Sequence, residues 1–102
     1  MTHKVVFRRR ADARLTELYD YIAEHSSPHI AINYIRRIRE SCLALADFPE
    51  RGTRRDDIMP GLRTIGFERR VTIAFRVLKT RVEIISIAYG GRDFESELRL
   101  RK

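Results

Sequence analysis

Arginine is the side chain through which this sequence could do most of its chemistry. Arg8, Arg9 and Arg10 form one run, and Arg51, Arg54 and Arg55 form a second. Arg63, Arg69, Arg70, Arg76 and Arg81 recur through the strand-like second half, and Arg92 follows Tyr89-Gly90-Gly91. A guanidinium is a planar fork of donors that grips a carboxylate or a phosphate with two hydrogen bonds. Most of these arginines read as a solvated basic face. Four read as candidate binding residues: Arg63, Arg70, Arg76 and Arg92. Arg63 lies beside a long loop, and Arg92 sits where two glycines allow close backbone approach, so the two are expected to converge on one anion.

Other reactive types are sparse. His25 and His29 are four apart, but Pro28 and a turn lie between them, so they do not share a helical face. Cys42 falls on an apolar stripe, and a buried thiol is inert. No metal site and no cofactor site is expected. Asp56 and Asp57 are adjacent and point apart in an extended loop, which gives no paired acid and base. Gly90-Gly91 lacks the Gly-x-x-x-x-Gly-Lys pattern of a phosphate loop.

The elements that must position these residues follow from periodicity. Residues 3–8, with Val5, Val6 and Phe7, read as a first strand. Ala11, Leu15, Leu18, Tyr19 and Ile22 recur at spacings of three and four and predict a helix over 11–24. Ser27 and Pro28 are a cap and a first-turn proline for a second helix over 28–46, with Ala31, Tyr34, Ile35, Ile38, Cys42 and Leu45 buried. The short connection makes the pair an antiparallel hairpin, and its apolar stripes need a sheet to pack on. Residues 49–61 are polar and rich in turn formers, an irregular segment long enough to be functional. The period then becomes two. Residues 62–65 predict a short strand, and Val71, Ile73, Phe75 and Val77 alternate along a longer one. Lys79-Thr80 reverses the chain, and residues 82–89 are nearly all apolar, as in a strand central to a sheet. Asp93 caps a short last helix over 94–100. The expected class is α+β, in the order β-α-α-β-β-β, with the hairpin on a small, mostly antiparallel sheet and one domain spanning 1–102.

A chain of 102 residues with 43% hydrophobic and 34% charged residues is globular, not disordered. No apolar run can span a bilayer, the N-terminus does not read as a signal peptide, and one cysteine makes no internal disulfide; a cytoplasmic protein is expected. The net charge of +7 suits either nucleic acid or an acidic protein partner. The plain nucleic-acid-binding reading is weakened by sparse aromatics, because single-strand binders need stacking platforms.

Several ordered segments now resemble one family. Tyr19-Asp20-Tyr21-Ile22-Ala23, then Ala31-x-x-Tyr34, then Leu45-Ala46-Asp47-Phe48-Pro49-x-x-Gly52 and Arg55-Asp56 are similar to a ParE toxin of the RelE/ParE superfamily. Gly61-Leu62-Arg63, Ile73-x-Phe75-x-Val77 and Val82-x-Ile84-x-x-Ile87 leading to Gly91-Arg92-Asp93 continue the likeness over nearly the whole chain. The resemblance implies the toxin of a type II toxin–antitoxin pair, neutralised by the acidic C-terminal segment of a ParD-type antitoxin and acting on DNA gyrase by protein contact. It implies no direct DNA binding by the toxin alone. RelE relatives instead cleave mRNA on the ribosome, with basic side chains on the sheet and a C-terminal tyrosine. Arg63 and Arg92 match that set, and Arg70 lies two residues from the strand position occupied by Thr72. Ile65 stands where a lysine is expected and Leu98 where the tyrosine is. Arg63, Arg70 and Arg92 are thus the weak catalytic candidates, and the incomplete set favours a toxin that is not an enzyme.

Overall fold

The apolar spacing of the first half produces two helices whose buried stripes face the same way. The computed structural model describes residues 3–90. Strand β1, Lys4–Phe7, leads into helix α1, Arg9–His25, which buries Ala11, Leu15 and Leu18. Helix α2, Pro28–Leu43, buries Ala31, Ile35, Ile38 and Cys42. Its start is built as the sequence dictates: the Ser27 side chain accepts the Ile30 amide at 3.1 Å, and Pro28 occupies the first turn. Its last turn tightens into a 3-10 segment, Ala44–Ala46, which inserts Leu45 into the core.

Five strands complete the fold: β1, β2 (Thr53–Arg54), β3 (Leu62–Phe67), β4 (Val71–Val77) and β5 (Arg81–Tyr89), in the order β1-β5-β4-β3-β2. The β1–β5 pair is parallel and the others antiparallel. The expected α+β architecture is therefore present, with the apolar β5 in the interior of the sheet between β1 and β4. The core lies between the hairpin and the sheet face that carries Val71, Ile73, Phe75, Val82, Ile84 and Ile87. Fully buried aliphatic side chains of this kind stabilise by about 1.5–3 kcal/mol each relative to exposure.

Three differences from the sequence expectation matter for the site. Helix α1 begins at Arg9, so the arginine run is split: Arg8 is the N-cap, and Arg9 and Arg10 form the first turn. The segment 49–61 is not wholly irregular. Thr53–Arg54 pairs with β3, and Ile58 is buried against Leu62, Ala74 and Ile85 on the sheet face away from the helices. Gly52 makes this possible at φ +83°, because its backbone passes so close to Thr64 and Ile65 that a Cβ would collide with both. Finally, β5 carries a bulge: Ala74 pairs with Ser86 and Phe75 with Ile84, leaving Ile85 as the extra residue. The expected helix 94–100 and Arg92 lie outside the described residues. No helix among the described residues is long and apolar enough to cross a membrane.

Candidate functional site

A carboxylate in a strand that is otherwise buried must be paired, because an isolated buried charge is too costly. Glu83 lies between Val82 and Ile84 in β5, and its side chain is only 7% exposed. Three arginines from three strand-end positions close on it. Arg8 donates to Oε1 at 3.2 Å and Arg76 to the same oxygen at 3.1 Å. Arg81 donates twice to Oε2, at 3.2 and 3.0 Å. Burial acts to raise the Glu83 pKa, but the hydrogen bonds from Arg76 and Arg81 and the charge of Arg8 outweigh it and hold the carboxyl below its ordinary value. The cluster is fixed, ionised and still carries excess positive charge.

Beside it lies a groove of about 830 Å³ at the seam between the start of α1 and the sheet. Arg8, Arg9, Arg10, Arg14 and Arg76 line it, and Met59 and Ile85 give it an apolar floor. The bulge explains Ile85: the extra residue turns toward the face away from the helices, where Ile58 and Leu62 pack. Arg76 Nε is buried and finds no acceptor among the described residues. A smaller hollow of about 230 Å³ continues the seam, lined by Leu18, Tyr21, Ile87 and Tyr89 and sharing Arg14 with the groove.

Among the described residues, Arg63, Arg70 and Arg76 occupy three separate places, and the expected convergence of Arg63 with Arg92 lies outside the described residues. Arg76 lies on the sheet face away from the helices, within the Glu83 cluster. Arg63 is paired with Phe75, a core residue, which places it on the helix-side face near β2, where it donates to the Arg51 carbonyl at 3.5 Å. Arg70 closes the β3–β4 reversal, in which Glu68 and Arg69 both have positive φ, and its carbonyl accepts the Gly90 amide at 2.7 Å. Arg70 is thus at the exit of β5, the segment that leads toward Arg92. Gly90, at φ +67°, turns the chain there. Tyr89, just before it, belongs to a ring cluster with Tyr34 and Tyr21, their centroids 6.4 and 6.3 Å away.

Other candidates are occupied locally. Asp56 is bound by Arg54 and by the Gly61 amide, which lower its pKa, while Asp57 pairs with Arg55. The two carboxylates therefore serve two separate ion pairs. Burial pushes the Cys42 thiol up to about 12. His25 stacks on Tyr21 at 4.2 Å, and His29 meets Asn33 at 3.2 Å. No group of three or more potential metal ligands occurs among the described residues.

The sheet face away from the helices is the one on which Ala74 packs with Ile58, Leu62 and Ile85. By register with Ala74, that face carries Thr64, Thr72, Ser86 and Ala88 beside Arg76 and Glu83. Thr72 and the small residues around it offer no cation and no general acid.

A helical hairpin on a mixed five-stranded sheet, with a strongly basic seam, defines an α+β fold class. The comparisons place the chain within it. The family model described as "ParE toxin of type II toxin-antitoxin system, parDE" matches residues 5–94. The chain belongs to the ParE toxin family. A solved structure of the chromosomal ParDE toxin–antitoxin system from P. aeruginosa is similar at 27% identity and a TM-score of 0.76, covering 87% of this chain and 97% of that one. An arginine-to-alanine double mutant of the E. coli toxin RelE, in its free state, shares the fold at 15% identity and a TM-score of 0.68, covering 99% and 97%. No curated protein matches the sequence.

Proposed function

We propose that this ParE-family chain is a cytoplasmic toxin that inhibits DNA gyrase by protein contact and is neutralised by a ParD-type antitoxin through that partner's acidic segment. The observation that carries the non-enzymatic part is the composition of the sheet face away from the helices. Its arginines among the described residues include Arg8, Arg76 and Arg81, all engaged by Glu83, and Thr72, Ala74, Ser86 and Ala88 line the face beyond them. Phosphodiester cleavage needs a base, an acid and cations aimed at the reacting phosphate. The family membership supports the antitoxin partner, and the +7 charge supports an acidic one. Arg63, Arg70, Arg76 and Arg92 remain the proposed contact residues; of these Arg63, Arg70 and Arg76 lie at separate positions in the fold.

Inducing the chain without its partner should arrest growth, and co-expressing an acidic-tailed partner from the neighbouring reading frame should restore it. Mapping mRNA ends during the arrest should show no new ribosome-dependent cuts. New cuts that disappear on replacing Arg63, Arg70 or Arg92 would overturn the non-enzymatic reading in favour of a RelE-like endoribonuclease.

A further inference from the structure

Carboxylates and phosphate chains ask different things of arginine. A carboxylate offers two oxygens in one plane, whereas a short phosphate chain offers oxygens in every direction and concentrates several negative charges in a small volume. The groove at the start of α1 has the second geometry. Arg8, Arg9, Arg10 and Arg14 enter it from α1 and its cap, and Arg76 enters from β4, around about 830 Å³ of space. No acidic residue lines it among the described residues. Two carboxylates offset these cations from outside the groove: Glu83 holds Arg8 and Arg76, and Glu17 holds Arg14. Arg9 is exposed and has no ion pair among the described residues. The buried Arg76 Nε has no acceptor there either.

The helix adds to this potential. Arg8 caps α1 without a side-chain acceptor, and the first intrahelical bond runs from the Asp12 amide to the Arg8 carbonyl at 3.1 Å. The amides of residues 9–11 thus precede the helix's own bonding and form its positive end, in the turn that walls the groove. Asp12, the acidic residue of that turn, is paired with Arg39. We infer that this groove binds a short phosphate chain, either inorganic triphosphate or the triphosphate of a nucleotide. Arg9 and the first-turn amides anchor it, and Arg76 closes on it from the sheet. Met59 and Ile85 give the floor no polar side chain that could read a base, so the phosphate chain is what is recognised. An acidic peptide spaces its carboxylates along a backbone and cannot crowd them onto one helix end. Nothing in this recognition depends on the toxin reading.

The test is calorimetric titration of the full chain with sodium triphosphate, ATP, citrate and hexaglutamate, without magnesium and at one ionic strength. Backbone amide shifts followed by NMR locate the binding. Triphosphate should bind at least about tenfold more tightly than citrate or hexaglutamate. ATP should bind within about threefold of triphosphate, because the chain alone is gripped. Arg9→Ala should weaken triphosphate by about tenfold, the loss of one charge-assisted contact. Arg36→Ala removes the same charge from the exposed side of α2 and should change binding less than about twofold. The largest amide shifts should fall at residues 9–12. Equal losses in Arg9→Ala and Arg36→Ala, or shifts spread evenly over the surface, would overturn the inference. So would hexaglutamate binding as tightly as triphosphate, binding of ATP alone, or a triphosphate Kd weaker than about 1 mM.

Discussion

Replacing Glu83 with glutamine should destabilise the fold in a pH-dependent way. The change keeps shape and removes charge from a side chain 7% exposed, surrounded by Arg8, Arg76 and Arg81 at 49%, 33% and 46% exposure. The amide has one accepting oxygen, so the two hydrogen bonds to the other carboxylate oxygen are lost, the remaining two lose their anionic acceptor, and three guanidinium groups are left to repel one another. A charged hydrogen bond contributes about 1.5–3 kcal/mol when well buried. Here the arginines keep much of their hydration, so a total loss of about 1–3 kcal/mol is expected. For a domain of this size that lowers Tm by roughly 5–15 °C. The pH dependence follows from the depressed carboxyl. Its stabilisation is complete above the unfolded value near 4.5 and is lost as pH falls through the lower folded value. Urea unfolding of both proteins should therefore show a constant gap at neutral pH that closes in acid, where wild-type Glu83 is itself protonated. A gap below about 0.5 kcal/mol, the range of an ordinary surface substitution, or one that persists undiminished in acid, would refute the reasoning.

Three further outcomes follow from local geometry. Gly52→Ala should cost more than about 2 kcal/mol, because strain at positive φ and a clash with Thr64 and Ile65 act together; urea midpoints measure it. Arg69→Gly should stabilise by about 0.5–1 kcal/mol, since Arg69 pays the left-handed penalty at φ +65° in the β3–β4 reversal; the same midpoints should rise. Cys42, 0% exposed and with its thiol pushed up to about 12, should resist a thiol reagent at neutral pH until the chain is unfolded, and rapid native labelling would contradict that burial.

Much of the architecture is legible in the residue pattern. The three-and-four spacing in α1 and α2, the Ser27-Pro28 start and the alternation of Val71, Ile73 and Phe75 each specify local structure strongly. Strand β2 is not legible, because two residues carry no period and Thr53–Arg54 is a strand only through its pairing with β3. The early start of α1 is hidden because Arg9 and Arg10 lie outside the apolar stripe. The bulge at Ile85 is hidden because an all-apolar strand does not reveal which face each residue takes.

The site was legible only in part. Arginine dominates the lining of the groove, and Arg76 is part of it. The convergence of Arg8, Arg9 and Arg76 depends on the parallel β1–β5 pairing, which places Phe7 opposite Ile84 and delivers the start of α1 to the sheet edge. One signal could have exposed the cluster earlier: Glu83 is a lone carboxylate within the apolar run 82–89, and a charge there demands partners from neighbouring strands.

The most direct measurement of the central claim is ATP-dependent supercoiling of relaxed plasmid by purified gyrase, titrated with this chain. The account predicts that supercoiling falls as the chain is added, and that a ParD-type partner premixed with the chain restores it. Full supercoiling at saturating chain would contradict the account.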